Sequence, residues 1–95
     1  MQYLKVDWLH DFLDEPICIY SEIDDERYEL RKIEKFRNGH LDFASENIQT
    51  GTTFLSEAIF PKNEEIALDT QFQICAISQI EFEELWNIAT LNNQL

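Results

Sequence analysis

Basic residues and glycines are scarce in this chain of 95 residues. Seven Lys and Arg stand against nineteen Asp and Glu, which gives a formal net charge of −12 at pH 7. A field of that sign opposes direct binding to nucleic acid and to anionic membranes, and it favours a cationic partner. With two glycines in total, the chain has no Gly-rich phosphate loop, and it has no nucleophile elbow or metal-ligand pair. These absences predict a binding protein without cofactor or metal ion, and not an enzyme.

Long apolar runs are absent as well. The first residues, Met1 to Asp7, form neither a basic n-region nor an apolar h-region of a secretory signal. No run approaches the roughly 18 apolar residues that a membrane span needs. Hydrophobic residues still make up 44% of the chain, which is enough for one core at this length. We therefore expect a cytoplasmic protein with a single domain over residues 1–95.

Cysteine is used twice. Cys18 and Cys75 each lie inside an apolar, strand-like run. A free cysteine behaves as a small hydrophobic residue, so the pattern favours two buried structural thiols. A disulfide or a reactive thiol is the alternative interpretation.

Alternation of apolar and polar residues predicts strands in the first half of the chain. Residues 3–10 alternate, and residues 17–22 follow as a second strand that pairs with the first in an antiparallel hairpin. A third strand covers residues 27–37 and leads through Asn38-Gly39 into a fourth over residues 41–45. Asn-Gly is typical of a type I′ hairpin turn, in which both central residues have positive φ.

The second half of the chain has weaker signals before its last segment. Residues 52–59 fit a fifth strand or an irregular crossing, residues 64–68 a short helical turn, and residues 71–76 a further strand. The last segment is predicted as a helix over residues 79–91.

That helix has a clear start and a clear apolar face. Ser78 and Glu81 form a capping-box pattern. An apolar stripe at helical spacing follows and comprises Phe82, Leu85, Trp86 and Ala89. The sequence thus predicts an α+β fold, an antiparallel β-sheet of four to six strands with a C-terminal α-helix packed on one face.

Five of the seven basic residues lie within residues 27–37, a segment of net charge +3. One parity is shared by Arg27, Glu29, Arg31, Lys35 and Arg37, which predicts a charged stripe on the solvent face. Tyr28 shares the other parity and is predicted to face the core, with a bulge near Lys32. The stripe either neutralises acidic neighbours across the sheet or binds phosphate.

Acidic residues gather in the two connections between the first three strands. Since successive loops of a meander lie at opposite ends of the sheet, the two groups need not form one patch. A surface complementary to a basic protein is the functional interpretation, and solvated loop charge is the alternative. Calcium binding by Asp24-Asp25-Glu26 is a weaker alternative, because the spacing of an EF-hand loop is missing. The predicted partner-binding residues are Asp11, Phe12, Asp14, Glu15, Glu22, Asp24, Asp25 and Glu26.

Apolar anchors and histidines complete the set of candidates. Phe12-Leu13, inside an acidic loop, is the apolar pair expected to be exposed, whereas Trp8 is expected in the core. His10 is expected to bond a neighbouring carboxylate or backbone group, and His40 to be an exposed turn residue. A small enzyme would instead need a pocket that joins one of these histidines to a carboxylate.

A series of short motifs extends over most of the chain. The motifs are Tyr3-x-Lys5-Val6-x-Trp8-x-His10-Asp11-Phe12, Asp14-Glu15-Pro16, Tyr20-Ser21-Glu22, Asp24-Asp25-Glu26-Arg27, Arg31-Lys32 and Thr50-Gly51-Thr52. In these motifs the chain resembles a family of small acidic bacterial domains of uncharacterised function and about this length. That family is similar in size and acidity to immunity proteins of polymorphic or contact-dependent inhibition toxin systems. The resemblance implies a cytoplasmic antidote to a cognate toxin and supplies no catalytic residues.

The physics of such an antidote agrees with the composition. Toxins that cleave RNA or DNA have positively charged active sites, which an acidic inhibitor can block. We therefore expect an immunity protein that neutralises a basic, nuclease-like toxin. The alternative is an acidic interaction module or regulatory subunit without a toxin partner.

Overall fold

A five-stranded antiparallel sheet forms the centre of the fold within residues 1–92, which are the residues that the computed structural model describes. The strand order is β4-β3-β2-β1-β5. A helix follows the last strand, so the α+β prediction is confirmed. The elements are β1 (Gln2–Trp8), β2 (Cys18–Ile23), β3 (Glu29–Lys35), β4 (Leu41–Ala44), α1 (Asn63–Ala67), β5 (Phe72–Ala76) and α2 (Gln79–Asn92).

The first four strands form a meander, and β5 returns to the far side of β1. The predicted β1–β2 hairpin is confirmed, with Leu4 opposite Ser21. On its other edge β1 pairs antiparallel with β5, where Lys5 lies opposite Cys75. The strand predicted over residues 71–76 and the short helix at 64–68 are therefore both confirmed within one or two residues.

Helix α2 covers one face of the sheet. Its predicted apolar stripe is confirmed: Phe82 and Ala89 are fully buried, and Leu85 and Trp86 pack against the same core. The strands contribute Tyr3, Ile33, Leu41 and Phe43 to this core. The helix begins as predicted, since the backbone N–H of Glu81 donates to Oγ of Ser78 at 3.1 Å.

The segment between β4 and α1 runs along the opposite face of the sheet as an irregular crossing and not as a fifth strand. Arg27 fixes the end of this crossing. Its guanidinium donates to the backbone oxygens of Phe60 at 3.2 Å and Pro61 at 2.5 Å, and to Oδ1 of Asn63 at 3.0 Å. One cation thus holds the chain where α1 begins.

Strand β3 departs from the prediction. Glu22 pairs with Arg31 but Ile23 pairs with Glu29, so the irregularity lies at Leu30 and not near Lys32. Arg31 shares the α2 face with Ile33, while the extra residue places Glu29 on the opposite face, where it is buried. The predicted solvent-facing charged stripe is therefore wrong at Glu29 and Arg31, whereas Lys35 and Arg37 are exposed.

Three local predictions need correction as well. Tyr28, expected in the core, is exposed. At the hairpin turn, Gly39 has φ +90° while Asn38 does not have positive φ. The Gly39 N–H donates to the Phe36 oxygen at 2.9 Å, a pattern typical of a three-residue loop and not of the type I′ turn. Cys18 is buried as expected, but Cys75 is exposed on β5.

Candidate protein-binding site

The β1–β2 loop (residues 9–17) presents an apolar pair to solvent. Phe12 is 63% exposed and Leu13 is 80% exposed, as the sequence predicts. Three exposed carboxylates flank the pair, those of Asp11, Asp14 and Glu15. Within residues 1–92, no hydrogen bond or ion pair engages these three carboxylates. The loop therefore combines solvent-exposed carboxylates that have no partner within those residues with exposed apolar surface, whose hydration is unfavourable.

His10 holds the loop in its shape. Its Nδ1 accepts the backbone N–H of Phe12 at 3.0 Å, and its Nε2 lies 2.7 Å from the backbone oxygen of Pro16. Since Nδ1 accepts, Nε2 carries the proton and donates to Pro16. Arg37 on the neighbouring hairpin donates to the backbone oxygen of His10 at 2.8 Å. The predicted backbone role of His10 is confirmed, and the loop is ordered before any partner arrives.

An aromatic cluster supports the base of the loop. The Trp8 ring centroid lies 4.2 Å from that of His10, 6.4 Å from Phe12 and 6.1 Å from Phe72 on β5. Trp8 is half-buried in this cluster, and it lines a shallow depression of about 300 Å³ together with Phe12 and Leu13. Tyr20 on β2, by contrast, is half-buried against the main core. Phe12 is thus the exposed member of a packed aromatic group.

The second acidic loop connects β2 and β3 at the opposite end of the sheet. Asp24 is internal to that loop, where Oδ1 accepts the backbone N–H groups of Glu26 and Tyr28, both at 2.9 Å. Asp25 pairs with the N-terminal ammonium of Met1 at 3.0 Å, and Glu26 is exposed. Strands of this length separate the two ends by about 20 Å. The structure therefore does not bring the two predicted acidic groups together.

Glu22, the remaining predicted contact, lies under α2. It is 7% exposed and accepts two hydrogen bonds from Arg31, at 2.7 and 2.8 Å. The same guanidinium bonds Glu83 of α2 and stacks 5.0 Å from the ring centroids of Phe82 and Trp86. The bonds from Arg31 lower the pKa of Glu22, and the two carboxylates raise the pKa of Arg31. Glu22 is committed to this cluster, so we leave it out of the binding surface.

The other cations of residues 27–37, apart from Lys35, are also engaged inside the chain. Lys32 pairs with the buried Glu29 at 3.0 Å, and Arg27 and Arg37 bond backbone oxygens. Lys35 is exposed. This arrangement supports the interpretation that the strand neutralises its acidic neighbours, and it leaves no cationic stripe for phosphate.

The second histidine lies in a larger open depression of about 610 Å³. Nε2 of His40 is 3.0 Å from Oδ1 of Asp42, which also accepts the hydroxyl of Thr50 at 2.9 Å. Gly51 is required beside this pair, because a Cβ there would lie 2.4 Å from Oδ2 of Asp42. The Thr50 proton is directed at the carboxylate and away from the imidazole, so the geometry fastens the 50–51 segment to β4 and aligns no nucleophile.

In the described part of the chain, the buried thiol Cys18 is not placed for chemistry, and metal binding has no developed site. Burial raises the pKa of the Cys18 thiol to about 11, which keeps it protonated and unreactive. No group of three or more His, Cys, Asp or Glu side chains among residues 1–92 has the geometry to hold a metal ion. No helix within those residues is long and apolar enough to cross a membrane.

A family model described as "Domain of unknown function (DUF6881)" matches residues 2–91. The chain belongs to the DUF6881 family. Comparison with curated proteins and with solved structures gave no significant match. Membership of DUF6881 agrees with the resemblance to a small domain family, and it carries no link to immunity proteins or toxins. The resemblance to immunity proteins stays a prediction.

Sequence reasoning found the exposed pair of this DUF6881 chain but missed what supports it. Phe12-Leu13 was predicted to be exposed because this apolar pair lies inside an acidic loop. The contacts of Trp8 with Phe72 and of Arg37 with His10 join residues far apart in the chain. No local motif marks them, because the strand order that brings β5 beside β1 is a tertiary property.

Proposed function

We propose that this protein is an immunity protein that binds and neutralises a cognate basic toxin through the β1–β2 loop. The observation that supports the proposal is the pair Phe12-Leu13, 63% and 80% exposed, on an internally hydrogen-bonded loop whose three carboxylates have no partner among residues 1–92. An apolar centre within a charged rim is the arrangement that protein–protein hot spots show. Because the loop is already fixed, little conformational entropy is lost on binding.

The two components of the loop have separate tasks. Asp11, Asp14 and Glu15 attract a cationic surface, such as the phosphate-binding site of a nuclease, and raise the rate of association. Phe12 and Leu13 lose their water in the complex and slow its dissociation. The protein needs no chemistry of its own for this function, so we propose that it is not an enzyme and that it acts in the cytoplasm.

The first experiment co-expresses the protein with the polypeptide encoded immediately upstream. The readouts are cell survival and the affinity of the purified complex. Rescue with a stable complex supports the immunity function. A stable complex with a polypeptide that harms no cell would support the acidic interaction module instead, because the same surface would serve a partner unconnected with a toxin.

Variants of the loop then separate charge from apolar contact. We expect Phe12→Ala to weaken the complex by at least about 2 kcal/mol, roughly 30-fold in Kd, mainly through faster dissociation. Asp11→Lys with Asp14→Lys should slow association and reduce its salt dependence.

The matched control reverses the same charge elsewhere. Glu46 and Glu57 are exposed in the crossing between β4 and α1. Glu46→Lys with Glu57→Lys makes the same change in net charge as the loop variant. If both double variants slow association equally, the β1–β2 loop is not the contact and only the overall field matters.

A further inference from the structure

The outer edge of β5 carries unpaired backbone groups. Leu9 N–H donates to the Gln71 oxygen at 2.7 Å and Ile77 N–H to the Tyr3 oxygen at 2.9 Å, so the odd-numbered residues of β5 pair with β1. The N–H and C=O groups of Ile74 and Ala76 point the other way. No hydrogen bond from residues 1–92 engages these outward groups. They form a free strand edge.

The other edge of the sheet, strand β4, is covered by the chain that follows it. Beyond β4 the chain folds back, and Thr50 N–H donates to the Phe43 oxygen at 3.0 Å while Ala44 forms a bridge with Gln49. In the described part of the chain, no segment bonds to strand β5 in this way, and the strand Phe72-Gln73-Ile74-Cys75-Ala76 contains no charge and no proline. Natural edges are usually protected by one of these devices, since a bare edge recruits another strand.

The edge is continuous with the β1–β2 loop. Gln71, directly before β5, receives the N–H of Leu9 from that loop, and its Oε1 accepts Nε1–H of Trp8 at 3.3 Å. Phe72 contacts Trp8, and Trp8 contacts Phe12. An extended segment along β5 would therefore reach the exposed apolar pair at its end.

We propose that β5 receives an extended segment of the basic partner as a sixth strand of the sheet, an inference that rests on the proposed function. Main-chain hydrogen bonds to Ile74 and Ala76 would supply affinity that does not depend on sequence. Side chains would alternate, with apolar residues beside half-buried Ile74 and polar or basic residues beside exposed Gln73 and Cys75. A second copy of the chain is disfavoured, because two molecules of net charge −12 repel each other.

Amide hydrogen exchange, measured with the co-expressed upstream polypeptide, tests the strand directly. In the free protein the Ile74 and Ala76 amides should exchange quickly, while the Cys75 amide, which pairs with β1, should be protected. In the complex we expect exchange at Ile74 and Ala76 to slow by at least about tenfold.

A proline variant gives a second test. Ala76→Pro removes one outward N–H and leaves the bonds to β1 in place, as edge strands tolerate. It should weaken the complex by about tenfold or more, whereas Ala76→Thr, which keeps the N–H, should change Kd less than about threefold. Unchanged protection of the Cys75 amide checks that β5 is still formed in both variants.

The outcomes separate the two proposals. If Phe12→Ala weakens the complex but the Ile74 and Ala76 amides exchange as in the free protein, the added strand is wrong and the immunity function stands. If these amides are already protected in the free protein and the protection rises with concentration, a second copy covers the edge and the strand proposal fails. If no complex forms, both proposals fail.

Discussion

The Arg31 cluster under α2 and the β1–β2 loop use the same kinds of residue in opposite ways. In the cluster, Glu22 and Glu83 share one guanidinium that stacks on two aromatic rings. In the loop, three carboxylates surround Phe12-Leu13, and no cation pairs with them within residues 1–92. The difference teaches that the fold uses some carboxylates internally and leaves others to solvent, and that in the β1–β2 loop the latter surround exposed apolar residues, the combination that suits a partner.

The bulge at Leu30 divides the charges of β3 between the two faces of the sheet. Arg31 lies two residues before the buried Ile33 with regular pairing between them, so both face α2, where Arg31 meets Glu83. The extra residue places Glu29 on the opposite face, where it is buried beside Lys32. Arg31 is therefore a link between the sheet and the helix and not a surface charge.

Removal of Arg31 should have the largest effect on stability. Arg31→Met keeps the apolar contacts with Phe82 and Trp86 but leaves Glu22 buried without its cation. We expect the free energy of unfolding, measured by urea denaturation, to fall by about 3 kcal/mol. Lys35→Met on the same strand is the control, and it should cost less than about 0.5 kcal/mol because Lys35 is exposed. Equal losses would show that Arg31 is only another surface charge.

A smaller loss is expected at Gly51, beside another carboxylate that is used internally. Gly51→Ala places a methyl group 2.4 Å from Oδ2 of Asp42 at a residue with φ +55°, so Asp42 must move from His40 and Thr50. We expect a loss of about 2 kcal/mol by thermal or urea unfolding. Gly39 also has a positive φ, but a Cβ there would meet open space. Gly39→Ala should therefore cost only the backbone strain of about 1 kcal/mol. If the two variants are equally stable, the Asp42 contact is not a constraint.

The pH dependence of stability should identify Glu22 as an internal carboxylate. Because Arg31 lowers the pKa of folded Glu22 below its usual 4.5, the pair stabilises the fold above pH 4.5. That stabilisation is lost as the pH falls through the folded-state pKa. Glu22→Gln should therefore lose about 1 kcal/mol at pH 7 and show a shallower fall in stability below pH 4.5. Parallel curves for the two proteins would contradict this assignment.

The smallest effect on stability should come from the loop. Asp11→Asn, Asp14→Asn and Glu15→Gln together remove three unpaired charges, and we expect the free energy of unfolding to change by less than about 0.5 kcal/mol. Any change should be towards greater stability, since mutual repulsion falls. A loss of more than about 1 kcal/mol would mean that these carboxylates support the fold, and the contrast with Glu22 would no longer hold.

The sequence predicted those parts of the fold that local patterns encode. Alternation located the strands, and the Ser78 cap with the stripe from Phe82 to Ala89 located α2. A bulge in β3 was predicted from the sequence, but its position at Leu30 and the face of Arg31 were not, because both depend on how β3 pairs with β2 and on the side that α2 covers. Cys75 was predicted to be buried because the residues around it are apolar. It lies on an edge strand, however, where an apolar residue can be exposed.

The sequence predicted residues of the candidate site, but it did not predict which of them lie together in space. Adjacent Phe12 and Leu13 among carboxylates signalled exposure, which the structure confirms. The structural roles of Glu22 and Asp24 could not be predicted from the sequence. Glu22 pairs with Arg31, and Asp24 accepts backbone N–H groups of its own turn. Acidity per residue does not distinguish a carboxylate that the fold uses from one that it leaves unpaired.

The two tryptophans fall one in each of the compared regions, which gives the protein a built-in pair of optical reporters. Trp86 lies beside the Arg31 guanidinium, while Trp8 contacts the His10 ring at the base of the β1–β2 loop. In Trp86→Phe, the emission of Trp8 alone should follow events at the loop. In Trp8→Phe, the emission of Trp86 alone should follow the docking of α2. Light emitted by each single-tryptophan protein can therefore distinguish the arrival of a partner from a loosening of the fold, without any attached dye.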